Sequence, residues 1–180
     1  MKPLAVDLDG TLIKTDLFAR GMARFCAARP WHALVLLWWL RRGRAHAKAK
    51  LASLYPIDAA SLPYDARVLA WLREQKAAGR ITALATAFDQ AGANAVAAHL
   101  GVFDHVFASD GRGNLKSARK ADRLRREFPD GFVYAGNERA DLKVWSAAAA
   151  AVIVNAAPAL EREAKRRFTV ERIFPRDEVA

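Results

Sequence analysis

Short apolar runs recur along this chain, and each stops at a polar loop. Leu4-Ala5-Val6 ends abruptly in Asp7-Leu8-Asp9-Gly10-Thr11, as a buried parallel strand ends in a functional loop. Similar runs predict strands at 81–86, 106–109, 132–136 and 151–155. Helical patterns lie between them, near 64–78, 90–100, 116–128 and 140–148, several closed by Gly79, Gly101 or Pro129 as stop signals. The alternation predicts an α/β fold with a parallel sheet flanked by helices.

Residues 14–62 break this rhythm, with helical segments but no strand. They read as an all-helical cap inserted into a core made of residues 1–13 and 63–180. Pro30 separates the first cap helix from an apolar one at 31–40, and Gly43 separates that from a basic helix running through 46–54. From about Glu161 the chain is charge-rich, which predicts a terminal helix followed by a loosely held tail.

A length of 180 residues with 53% apolar content supplies one substantial core and argues against disorder. The net charge of +10 favours anionic partners. Nucleic acid is not expected, because no binding motif or aromatic-basic platform accompanies the charge. Cys26 alone excludes an intrachain disulfide, and the N-terminal residues read as a strand rather than a leader, so a reducing cytoplasmic compartment is expected. His32, His46, His99 and His105 lack partners at zinc-ligand spacing and read as surface or packing residues. The 31–40 run is about half the roughly 20 residues that a membrane-spanning helix needs.

In an open parallel sheet the ligand site lies at the carboxyl ends of the strands. There the sequence places Asp7 and Asp9, then Thr86, then the 110–116 segment with Lys116, then Gly136, Asn137 and Asp141. Two carboxylates at i and i+2 divide labour, one attacking phosphorus and the other handling protons. Gly10 lets the backbone turn between them and the next residues. A phosphate monoester brought to these acids needs compensating cations, which Lys116 and Mg²⁺ supply, and Thr86 adds a hydroxyl donor. Asp7, the Asp9 carbonyl, Asn137 and Asp141 form an oxygen donor set suited to Mg²⁺. Thr82 competes with Thr86, and Lys120 lies one helical turn from Lys116; Asp110 is a candidate to orient Lys116.

The ordered set Asp7-Leu8-Asp9-Gly10-Thr11, Thr86, Lys116 and Gly136-Asn137-Glu138-Arg139-Ala140-Asp141 resembles the four motifs of the haloacid dehalogenase superfamily, over nearly the whole chain. The resemblance implies a Rossmann-like core with a cap and an aspartyl-phosphate intermediate. By it Asp7 is the nucleophile and Asp9 the general acid and then base. Thr86, Lys116, Gly10 and Thr11 surround the phosphate, and Asp7, Asp9, Asn137 and Asp141 hold the metal. The helical cap is similar to that of phosphoserine phosphatase relatives. One departure is Asn137, where most family phosphatases carry Asp, which lowers the negative charge offered to Mg²⁺.

The stretches Leu62-Pro63-Tyr64, Trp71-Leu72-Arg73-Glu74-Gln75, Ala85-Thr86-Ala87, Ser109-Asp110-Gly111, Asn114-Leu115-Lys116 and Tyr134-Ala135-Gly136-Asn137 further resemble the phosphatase-like domain fused ahead of UbiA-type prenyltransferases. That resemblance implies a prenyl-linked sugar phosphate as substrate and a UbiA-type prenyltransferase as partner. It also leaves open a catalytically weakened module that docks on that membrane enzyme. The apolar run at 31–40, bracketed by Arg29 and Arg41-Arg42-Gly43-Arg44, has three readings. It is a buried cap helix, a dimer contact, or a peripheral helix that dips Trp31, Trp38 and Trp39 into the inner face of a membrane.

Overall fold

The computed structural model describes residues 1–109 and 114–176, and the side chains of all of these except 44 and 45. Six strands form one parallel sheet in the order β3-β2-β1-β4-β5-β6: β1 Leu4–Val6, β2 Thr82–Asp89, β3 His105–Ser109, β4 Val133–Gly136, β5 Ala150–Val154 and β6 Val170–Phe174. Side chains alternate across each strand, so Leu4 and Val6 join one apolar cluster while Ala5 joins another on the opposite face. Helices α4 (Ala66–Ala77) and α5 (Gln90–Leu100) cover the first face through Val68, Trp71, Leu72, Ala93 and Val96. Helices α6 (Ala118–Glu127), α7 (Leu142–Trp145) and α8 (Pro158–Arg167) cover the second through Ala121, Leu124, Val144, Trp145 and Leu160. With both faces covered, the strands have no polar side, which is why they read as apolar runs without strict alternation.

The order is that of a doubly wound sheet, with β1 at the centre, hydrogen-bonded to β2 on one side and β4 on the other. Its carboxyl end is where the order changes direction and where such sheets bind ligands.

Three helices leave and return at that end: α1 Leu17–Ala28, α2 His32–Arg41 and α3 Arg44–Leu54. The outgoing and returning chains pair through an Ile13–Tyr64 bridge, with the Lys14 amide donating to the Pro63 carbonyl at 2.9 Å and the Asp65 amide to the Leu12 carbonyl at 2.9 Å. Phe18, Phe25, Leu36, Trp39, Ala47 and Leu51 form a third apolar cluster among these helices.

Three sequence expectations change. Strand β2 continues to Asp89 rather than ending at 86. The helix expected at 140–148 is a short 3₁₀ turn at Arg139–Asp141 followed by α7. The expected loose tail carries β6, whose alternation is hidden because it is an edge strand with Glu171 and Arg172 exposed. β6 is held by a buried Arg80, whose Nη1 donates to Glu171 Oε1 at 2.6 Å and whose Nε donates to the Lys2 carbonyl at 2.8 Å. No helix among the described residues is long and apolar enough to cross a membrane.

Candidate active site

Asp7 follows the last residue of β1, and its amide donates to the Ala135 carbonyl of β4 at 3.0 Å, so the sheet itself aims this carboxylate. Gly10 turns the chain at φ +72°, and a Cβ there would fall 2.1 Å from Asn137 Nδ2. The side chain is therefore excluded by both backbone conformation and space. That close approach seats the loop after β1 against the loop after β4.

A cavity of about 340 Å³ opens at this junction, and Asp7, Asp9, Gly10, Lys116, Asn137 and Asp141 all line it. Six sequence candidates from three strand ends thus meet in one place. Thr11 and Thr86 are placed differently. Thr11 is buried and its hydroxyl donates to Asn137 Oδ1 at 3.2 Å, so it holds the asparagine instead of facing the cavity. Thr86 is buried below the rim, and its Oγ1 accepts from the Phe88 amide at 3.0 Å. Its own hydroxyl proton has no acceptor among the described residues. Thr82 is not a rival, because its hydroxyl is committed to the Val102 carbonyl at 2.5 Å at the far end of β2. Asp110 lies outside the described residues.

The two lysines exchange places relative to expectation. Lys116 is 41% exposed and pairs with Glu138 at 2.8 Å across the cavity mouth. Lys120 is buried and donates to Asp7 Oδ1 at 2.7 Å and to Tyr134 Oη at 2.8 Å. Helix α6 begins at Ala118 rather than 116, with Ser117 at φ +58° before it. That phase puts Lys120 on the buried face with Ala121 and Leu124. The one-turn spacing of these apolar residues was the available signal.

Behind Lys120 lies a connected polar set. Tyr134 Oη donates to Asp141 Oδ1 at 3.0 Å, and Asp141 Oδ2 accepts the amides of Asn137 and Glu138, each at 2.9 Å. Burial, and then the Asp7 charge, push the Asp141 carboxyl up. Burial likewise holds the Tyr134 phenol well above its usual range. Tyr134 was missed by the sequence reading because nothing in an apolar strand marks a tyrosine as polar-facing.

Asp9 is pushed up to about 7, mainly by burial; the Leu17 amide opposes this by donating to Oδ1 at 2.8 Å, and Asp7 adds to it. A carboxyl poised near neutrality is what proton transfer at cellular pH requires. Across the cavity, α3 contributes Lys48, a second residue without a sequence signal. It is buried, and its Nζ donates to the Ala87 carbonyl at the end of β2 at 2.7 Å.

The oxygen donors fit a hard cation. Among the described residues no three His, Cys, Asp or Glu side chains cluster tightly enough to hold an ion alone. Mg²⁺ ordinarily uses one or two carboxylates, with waters and substrate phosphate completing its shell. Asp7 and Asp141, with Asn137 beside them, match that habit.

No family model matches the sequence. An uncharacterized protein, y4nM, of Sinorhizobium fredii is 42% identical over 154 residues. The match takes in 84% of this chain, which therefore spans only 30% of the length of that curated relative. Among solved structures, a protein of unknown function from Bordetella pertussis Tohama I is similar with a TM-score of 0.69 at 18% identity, over 96% of this chain and 97% of that one. Phosphoserine phosphatase in apo form is similar with a TM-score of 0.66 at 18% identity, over 98% of this chain and 94% of that one. A phospho-aspartyl intermediate analogue of phosphoserine phosphatase gives 0.63 at 16%, over 96% and 92%. Identities this low establish architecture alone, and that architecture is the Rossmann-like α/β fold of the haloacid dehalogenase phosphatases.

Proposed function

We propose that the chain is a Mg²⁺-dependent phosphomonoesterase that works through an aspartyl-phosphate on Asp7, with α1–α3 as its cap. The observation that carries this reading is the Asp7–Lys120 pair at the end of the central strand, with Asp9 and Asp141 in the same cavity. A structure of phosphoserine phosphatase as a phospho-aspartyl intermediate analogue shares the fold.

Asp7 attacks phosphorus, an O–P bond forms, and the ester O–P bond breaks as Asp9 gives its proton to the leaving alkoxide. Asp9, now ionised, takes a proton from water as that water attacks phosphorus, which frees phosphate and restores Asp7. Lys120 holds Asp7 and keeps a third N–H, unused among the described residues, for a phosphoryl oxygen. Lys116 meets the same group at the mouth. Asp7, the Asp9 carbonyl, Asn137 and Asp141 would hold Mg²⁺, which would supply neutralisation of the phosphoryl charge. Phosphate release from alkyl phosphates with and without Mg²⁺ tests the reading. Loss of release in Asp7→Asn supports it, and undiminished release in that variant overturns it.

The alternative is a weakened docking module on a membrane prenyltransferase, and one observation favours it. Trp31 just before α2 and Leu34, Leu37 and Trp38 on it are each at least half exposed, with the Arg29 and Arg42 guanidinium groups over the Trp31 and Trp38 rings. Trp39 does not join them, since it is buried against Phe25 with ring centroids 4.8 Å apart. Restoring a carboxylate with Asn137→Asp separates the readings. A hundredfold gain in turnover favours a degraded site, and little change favours an enzyme adapted to the amide. Co-sedimentation with anionic vesicles, abolished by Trp31→Ser with Trp38→Ser, tests the peripheral contact. A lipid-linked phosphate substrate is the finer form of the enzyme reading.

A further inference from the structure

A second cavity, of about 170 Å³, lies between α1, α3 and the 55–62 segment. It meets the catalytic cavity at two side chains, Phe18 and Lys48, which line both. Its walls are Leu17, Leu51, Ile57, Leu62 and Phe88 beside Phe18. Two of the polar residues on its border, Asp58 and Ser61, are engaged in the same turn. Asp58 Oδ1 accepts the Ala60 amide at 3.1 Å, and the Ser61 hydroxyl donates to the Asp58 carbonyl at 3.0 Å. The buried unpartnered polar atoms among the described residues belong to His46, Asp89 and Asn114, none of which lines this cavity. Gly92 packs against two of these wall residues, since a Cβ there would sit 2.4 Å from Phe88 Cε1 and 3.0 Å from Ile57 Cδ1.

We infer that this slot receives the leaving group of the substrate whose phosphate sits at Asp7, and that this leaving group is apolar: a compact branched or aromatic alcohol rather than a polyol or amino acid. This deepens the phosphomonoesterase reading and rests on it. Continuity decides the occupant, because a group esterified to a phosphate beside Asp7 and Lys120 reaches the slot by passing Phe18. Chemistry decides its class. A polar group placed against Leu17, Leu51, Ile57, Leu62 and Phe88 loses water and finds no partner among those side chains, whereas each methylene buried there gains about fourfold in binding. Volume decides its scale, since a cavity of about 150 Å³ admits benzene. Arg20 and Arg24 stand exposed at the border, Arg24 over the Tyr55 ring at 4.7 Å, and they favour an anionic ester overall without contributing to the apolar walls.

The test compares alkyl phosphates, whose leaving alcohols are similarly basic. Butyl phosphate is expected to exceed 3-hydroxypropyl phosphate, which replaces one methyl by a hydroxyl, by at least about tenfold in kcat/KM. Benzyl and 3-methylbutyl phosphate, run beside them, distinguish an aromatic from a branched occupant. Gly21→Leu, which fills the slot from α1 beside Leu51, is expected to bring the butyl to hydroxypropyl ratio toward one, and Ala52→Leu does the same from α3. A ratio near one in the unaltered protein, or one unmoved by both variants, overturns the slot. Binding of the same two esters to Asp7→Asn, measured by calorimetry, separates the two ideas. If no ester is hydrolysed but butyl phosphate binds at least tenfold tighter, the enzyme reading fails and the slot stands. Equal affinities overturn the slot whatever the activity.

Discussion

Lys120 and Lys116 differ by one helical turn and by most of their burial, and their side chains answer to different physics. Lys120 is confined between Asp7 and Tyr134, so Lys120→Met leaves two buried oxygens without their donor. The expected result is a fall in kcat of about a hundredfold or more. Lys116→Met, at an exposed pair, is expected to raise KM by less than about tenfold, because surface pairs contribute little. Steady-state kinetics on an alkyl phosphate checks both, and equal losses would remove the distinction. Asp9 adds a pH signature. Its carboxyl stays protonated up to about 7 when folded, so kcat/KM for alkyl esters, which need a proton on the leaving oxygen, is expected to decline above that pH. The same displacement bears on stability. Between the ordinary carboxylate value and about 7 the folded state holds a proton that the unfolded state has released. Folding stability therefore falls as pH rises through that window, by up to about 1.4 kcal/mol per unit. Thermal melts without added metal are expected to show this fall, and Asp9→Asn to lack it. At this scale the sequence marked Asp7, Asp9, Asn137 and Asp141 by their order. It left the two lysines open because only helix phase separates them.

Asp65 and Asn155 show how elements are tied together around the site. Asp65 caps α4 through the Arg67 amide and accepts from Arg67 Nη2 at 2.7 Å and from Asn155 Nδ2 at 3.0 Å. Burial pushes its carboxyl up, but the Arg67 and Asn155 hydrogen bonds outweigh that and hold it well below the usual range. The folded-state value is depressed, so this contribution is present above the ordinary carboxylate value and is lost as pH falls below it. Asp65→Ala removes a cap and a buried acceptor together. With the exposed side of Arg67 screened, the expected cost is about 2–3 kcal/mol in urea unfolding at pH 7. The loss is expected to shrink in acid, and a constant difference from pH 7 to pH 3 would refute the assignment. The strands and core helices were legible in their apolar runs. Strand β6 was not, because an edge strand carrying Glu171 and Arg172 has the composition of a solvated tail. Its place depends on Arg80, 91 residues away in sequence.

At the scale of the whole molecule, a net charge of +10 attracts an anionic ester toward a cavity in which Lys14, Lys48, Lys116 and Lys120 stand among Asp7, Asp9, Asp16, Glu138 and Asp141. Raising ionic strength from low to physiological is expected to lower kcat/KM through KM while leaving kcat nearly constant. A salt-independent kcat/KM would show that the charge serves something else. The alternating apolar runs determined the parallel α/β core, and the order of the acids at strand ends determined which of them share one cavity at its carboxyl edge, because strand burial and loop position are local properties of the chain. Tertiary structure alone decided which lysine meets Asp7, that Thr11 holds Asn137, that Tyr134 joins the polar set, that Lys48 arrives from α3, and that an apolar slot opens beside the acids. Each depends on contacts between segments tens of residues apart, and no local pattern encodes the phase in which they meet.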